Sequence, residues 1–328
     1  MRSELQQKCD CFIESKESLK KVLAWREDVR IQSICASLYA QEGKIANPDQ
    51  VERCVKTLKK ETGIFSDVRG MALTIIACMI DICGGSENCF EKFFTAHDML
   101  KKSFKSAQQL PLAAEILAEK CETSAYDSVI TRAKGLYDRM RKQHPFLTGA
   151  DDYVMCVVLA FSDKTDDELL SGAEEVYCYL KNKLKWVDSN ALQAVGHTVA
   201  QYDGDKKINA DKILNMLALI KENHRSYDKT MGIPILGVLT QCGVDEKILV
   251  EEIVEVSDWL KPHKGFGPFG MGEGVRMVYA AMLVLESYSR DVTSQSNLAS
   301  SVISAIIAEQ IAMIACMSAV MASTTTSI

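Results

Sequence analysis

Residues Val154-Met155-Cys156-Val157-Val158-Leu159-Ala160-Phe161 form an unbroken apolar run, and the polar residues Ser162-Asp163-Lys164-Thr165 end it. Directly after them, Leu169, Leu170, Ala173, Val176, Tyr177 and Leu180 recur three and four residues apart and then meet Lys181. The first run is short and apolar on every side, so it reads as a covered helix. The second is an amphipathic helix with one buried stripe. Together they make one unit: an apolar helix, a short loop, an amphipathic helix and a link.

The unit recurs. Leu100-Lys101, Met140-Arg141, Leu180-Lys181, Ile220-Lys221 and Leu260-Lys261 each place an apolar residue before a base, at steps of 40 residues. Seven residues upstream stand Phe93, Ala133, Ala173, Ile213 and Ile253, and twenty-four upstream stand Ile76, Ile116, Cys156, Gly196 and Leu236. Bases at these endings complement the negative end of a helix dipole. A fixed period near 40 with two helices per unit is the sequence mark of a helical array. The expected fold is therefore all-α, with tandem two-helix repeats forming an α-solenoid (HEAT-like) or an α/α ring. One domain over 1–328 is expected, with irregular repeats over 1–62, regular ones over 63–262, and a glycine-rich link with closing helices over 263–328. Val275 to Leu285 reads as a late first helix. Pro48, Pro111 and Pro234 open apolar runs, so no proline is expected inside a helix.

Composition agrees with a packed chain. Of 328 residues, 47% are hydrophobic and 25% charged, which excludes a disordered or collagen-like protein. A net charge of -6 argues against nucleic acid as a partner. Residues 1–8 contain no apolar core, so no secretory signal is expected and the setting reads as cytoplasmic. The 12 cysteines then read as reduced thiols, and spacings such as Cys9/Cys11 and Cys78/Cys83/Cys89 match no zinc pattern. No metal and no cofactor is expected. From Leu298 to Ala322 the only charge is Glu309. This stretch is expected to be a buried helix covering the first-helix layer, and attachment to a membrane through it is the other reading.

Few residues invite chemistry. His97 falls on the stripe between Phe93 and Leu100 and reads as a satisfied core imidazole. His197 lies inside an apolar first helix, where a polar group needs a partner. Asp151 and Asp152 open a helix, as Asp67 with Arg69 and Asp188 with Ser189 do in their units, and helix capping accounts for this recurrence. The run Gly265-Phe266-Gly267-Pro268-Phe269-Gly270-Met271-Gly272-Glu273-Gly274 precedes a helix carrying Arg276. Gly270, Gly272 and Gly274 are candidates for an anion loop, with Arg276 as the charged partner. The run lacks the ending of a P-loop, and a tightly packed link is the competing reading. The bases that follow each amphipathic helix would line one rim, either as a solvated edge or as an attraction for an acidic partner.

At His144-Pro145-Phe146-Leu147-Thr148-Gly149 with Asp151-Asp152, and at the Gly265–Gly274 run with Arg276 and the Ala/Met-rich tail, the chain resembles an uncharacterised family of helical proteins from Gram-positive bacteria. The resemblance implies a cytoplasmic all-helical fold and no activity. The leading functional expectation is a non-enzymatic scaffold that binds a protein or peptide. The alternative is a small-molecule-binding or hydrolytic protein with Arg69, Asp152, Asp188, His197, Glu273 and Arg276 gathered at the first-helix rim.

Overall fold

The computed structural model describes residues 1–23, 29–64, 66–267 and 269–295. Among these residues are fourteen α-helices, one 3-10 turn (Thr123–Ala125) and no strand. The chain divides into two compact units, Cys11–Phe161, and Met1–Asp10 together with the chain from Ser162 onward. Helix α1 (Ser3–Leu23) contributes to both.

The Cys11–Phe161 unit holds α2 (Val29–Gln41), α3 (Pro48–Glu61), α4 (Met71–Ile82), α5 (Glu87–Ser103), α6 (Leu110–Lys120), α7 (Tyr126–Gln143) and α8 (Asp152–Ala160). Helices α2, α4, α6 and α8 lie side by side, α5 lies against α7, and α3, α5 and α7 each pack on the first-layer helix that follows. In the other unit are α9 (Asp166–Lys183), α10 (Ser189–Ala200), α11 (Lys206–Glu222), α12 (Lys229–Leu239), α13 (Glu246–Leu260) and α14 (Gly272–Gln295). There α10, α12 and α14 form one row, and α9, α11 and α13 another.

Burial follows the forty-residue register. Leu100, Met140, Leu180, Ile220 and Leu260 are buried, and so are Phe93, Ala133, Ala173, Ile213 and Ile253. These stripes supply the apolar area that drives second-layer helices onto the first layer. The first-layer helices are enclosed almost throughout: α8 is buried from Tyr153 to Ala160. Helix starts are set by side-chain caps. Asn47, Asp188, Asp205, Asp228 and Asp245 accept backbone N–H groups at α3, α10, α11, α12 and α13, while Thr165 and Glu168 form a reciprocal capping box on α9.

Pro234 departs from expectation, because it lies inside α12. Asp228 caps the helix by accepting from Thr230 and Met231, so helical structure begins before the proline. The late first helix is also longer than Val275–Leu285, running as α14 from Gly272 to Gln295. The expectation for 298–322 falls outside the described residues. No helix among the described residues is long and apolar enough to cross a membrane.

In the second unit, Arg2 reaches the last helices. Its Nε donates to Glu252 at 2.5 Å and an Nη donates to Ser287 at 2.8 Å. Its guanidinium lies 4.0 Å from the Tyr288 ring centre, and Tyr288 itself donates to Glu252.

Candidate functional site on the helix links

Each first-layer helix from α4 onward is reached from a second-layer helix through a link: residues 62–70, 104–109, 144–151, 184–188, 223–228 and 261–271. Because the helices alternate in direction and the first-layer helices of a unit lie side by side, the links of one unit share one rim. These links carry the most exposed large apolar side chains among the described residues: Ile64 at 78%, Phe146 and Trp186 at 99%, and Phe269 at 104% of the reference area. Each stands off the buried stripe of its neighbouring helix, so folding does not draw it inside.

Charge divides the same way. Five of the six helices leading into these links end in bases: Lys59 and Lys60, Lys101 and Lys102, Arg141 and Lys142, Lys181 and Lys183, and Lys221; α13 does not. The opposite ends of α3, α5, α7, α9 and α13 begin with acids such as Asp49, Glu87, Asp127, Asp166–Glu168 and Glu246, whereas α11 opens with Lys206 and Lys207. Where they occur, both placements complement the helix dipole.

Most of the residues singled out in the sequence have partners close to them in the chain. In the Cys11–Phe161 unit, Arg69 donates to the carbonyls of Lys59, Thr62 and Gly63, closing the end of α3. Asp152 accepts the Gly149 N–H at 2.9 Å. Burial, together with the adjacent Asp151 carboxylate, pushes its carboxyl up to about 7, against the effect of that N–H. In the other unit, Asp188 caps α10 by accepting from Asn190 and Ala191, and His197 is buried within the same helix.

Glu273 and Arg276 come together at 3.7 Å. Glu273 also receives Arg225 Nη1, the Ser226 N–H and the Ser226 hydroxyl. Partial burial works the other way, but these donors hold its carboxyl below the ordinary range. Arg276 is buried and donates to Ser257 Oγ and the Phe266 carbonyl, which pins the glycine-rich link to α13. The link also closes on itself: Met271 N–H donates to Gly265 O and Gly270 N–H to Gly267 O. A β-carbon at 270 would stand 2.1 Å from Gly265 O, Gly272 takes a positive φ of 78°, and the Gly274 carbonyl accepts from Asp228 N–H.

Two polar clusters belong to no site read from the sequence. His97 Nε2 lies 3.0 Å from Asp67 Oδ1, and Ser106 donates to the other oxygen of Asp67. Burial lowers the His97 pKa from its ordinary value, and Asp67 opposes that shift. Since Ser106 donates to the carboxylate, the imidazole is not placed to accept the serine proton. Glu115 is buried in α6, where burial, with Glu119 and Cys89 adding to it, keeps its carboxyl well above the ordinary range. The thiol of Cys54 is pushed up to about 12 by burial, which keeps it from acting as a thiolate at neutral pH. Among the described residues no three His, Cys, Asp or Glu side chains come together to hold a metal ion.

The sequence reading did not single out the exposed tips. Their signal was present, because Phe146 and Trp186 are large apolar residues 40 positions apart, each beside a link residue that favours the surface, Pro145 and Lys185.

A family model described as "Protein of unknown function (DUF4003)" matches residues 16–312, and the chain belongs to that family. The expected likeness to an uncharacterised helical family therefore holds. No curated protein matches, and no solved structure matches.

Proposed function

We propose that this family member is a non-enzymatic, cytoplasmic scaffold of tandem two-helix repeats, regular over 63–262 within a single domain, that docks a protein or peptide on the exposed links of a unit. One observation carries the reading: Ile64, Phe146, Trp186 and Phe269, the most exposed large apolar side chains, all stand on the same class of link. Apolar side chains held out in water at recurring positions are a feature of interaction surfaces. The polar candidates are engaged in structure instead, Arg69 and Asp188 at helix ends and Arg276 within a loop.

A photocrosslinking side chain placed at 146, 186 or 269, in cells, tests the proposal against the same group at Glu168 on the opposite rim. Discrete protein adducts at the link positions, absent at 168, support docking there. Equal labelling at 168, or none at the links, removes it.

A second reading, small-molecule or hydrolytic work at the first-helix rim, rests on Asp152, whose carboxyl at about 7 suits proton transfer near neutral pH. Under that reading a ligand would change the titration of Asp152.

A further inference from the structure

Three consecutive links of the second unit, 184–188, 223–228 and 261–271, lead into α10, α12 and α14, which lie side by side in that order. Trp186 stands on the first link and Phe269 on the third, both fully exposed. Neighbouring packed helices are about 8–10 Å apart, so the two tips are separated by roughly 16–20 Å along the rim. An extended chain covers that span in about six residues at ~3.3 Å each.

Described residues of both links are fixed by hydrogen bonds. The Trp186 link is fixed by Leu184 N–H on Leu180 O, Val187 N–H on Leu184 O, and the Asp188 cap. The Phe269 link is closed by the Met271–Gly265 bond and by Arg276 on Phe266 O. Side chains presented this way lose little freedom on binding.

The exposed charge between the tips is mostly positive. Lys181, Lys183, Lys185, Lys221, Lys261 and Lys264 are all exposed around the three links. Against these six bases stand fewer acids: exposed Glu222, and Asp188 and Asp228 at helix starts, while Glu273 is paired with Arg225. A negatively charged partner is thus favoured even though the whole chain carries -6. A row of similar contacts one helix spacing apart also matches a linear chain, as repeat surfaces generally do.

We propose that this rim binds an extended acidic protein segment carrying two apolar anchors about six residues apart, one seated on Trp186 and the other on Phe269. The proposal rests on the docking role given to the links and adds the chemistry and spacing of the partner.

The full-length chain is titrated with fluorescein-labelled peptides containing two leucines separated by acidic residues, read by anisotropy at low and moderate salt. Leucines six positions apart should bind best. Spacing of three, replacement of both leucines by serine, or exchange of the acids for lysine should each weaken binding at least tenfold, as should Trp186→Ser or Phe269→Ser in the protein. Ile208→Ser, an exposed position at the start of α11, should leave affinity unchanged.

Equal affinity for both spacings, or binding indifferent to Trp186→Ser and Phe269→Ser, would overturn the proposal. So would binding only to phosphatidylcholine/phosphatidylglycerol vesicles, which would assign the rim to an anionic bilayer. If link-specific crosslinks form while no acidic peptide binds, the partner chemistry fails and the docking role stands. If neither occurs, both fail. The tips make little packing contact, so unchanged thermal melting of the serine variants confirms that the fold is intact.

Discussion

Gly196 of α10 approaches Ala173 of α9 so closely that a β-carbon at position 196 would lie 2.6 Å from the Ala173 carbonyl oxygen. A backbone oxygen cannot move aside as a side chain can, so Gly196→Ala must push the two helices apart. Overpacking of this kind costs about 1–3 kcal/mol. Thermal or urea unfolding of the variant should show that loss. An unchanged midpoint would mean that the two helices are not in this register.

Asp152 should make stability depend on pH. Its carboxyl rises from 3.8 to about 7 on folding, so between those values the folded chain keeps a proton that the unfolded chain releases. The associated stability is fully present below pH ~4 and is lost as pH rises through about 7. Asp152→Asn retains an acceptor for the Gly149 N–H and removes the buried charge. The variant should therefore exceed the natural chain by about 1–3 kcal/mol at pH 8 and match it near pH 4 in urea titrations.

His97 titrates in the opposite sense. Burial holds it below 6.5, so its contribution is complete above that value and is lost as pH falls through the lowered folded value. NMR of the imidazole should place its midpoint below 6.5. Asp67→Asn should move it lower still, because Asp67 is the group favouring the charged ring.

Arg276→Met should destabilise the chain by about 2–4 kcal/mol, since it strands the buried partners of a charged side chain. The loss should also have a local mark. Amides over 261–271 should exchange faster than those of α9, whereas a purely global loss would raise both together.

Phe146→Ser, Trp186→Ser and Phe269→Ser should each change stability by less than about 0.5 kcal/mol, as exposed positions do. A larger loss would show that these side chains are packed in solution and unavailable to a partner.

The helices were legible from Leu100, Met140, Leu180, Ile220 and Leu260 because burial periodicity is local, and each stripe records which face is covered. The Asp188 cap was legible for the same reason. Pro234 was misread because its place depends on Asp228, six residues earlier, starting the helix ahead of it. Asp67 and Asp152 look alike in sequence, each lying shortly before or at a first-layer helix. Asp67 nevertheless meets His97 and Ser106 from other elements, and Asp152 accepts from Gly149, distinctions that only tertiary packing creates. The tips were hardest to read, since Trp and Phe ordinarily mean core.

The bonds of Arg2 also impose an order on synthesis. The Cys11–Phe161 unit is continuous in sequence and has all its residues once position 161 has been made. The other unit needs Met1–Asp10 together with Glu252, Ser287 and Tyr288. At about 5–20 residues per second, Met1–Asp10 must wait roughly 12–50 s for Glu252 to be made. Buried positions such as Leu5 and Cys9 spend that interval without the helices that complete their unit, so a nascent chain is most in need of chaperone cover over Met1–Asp10.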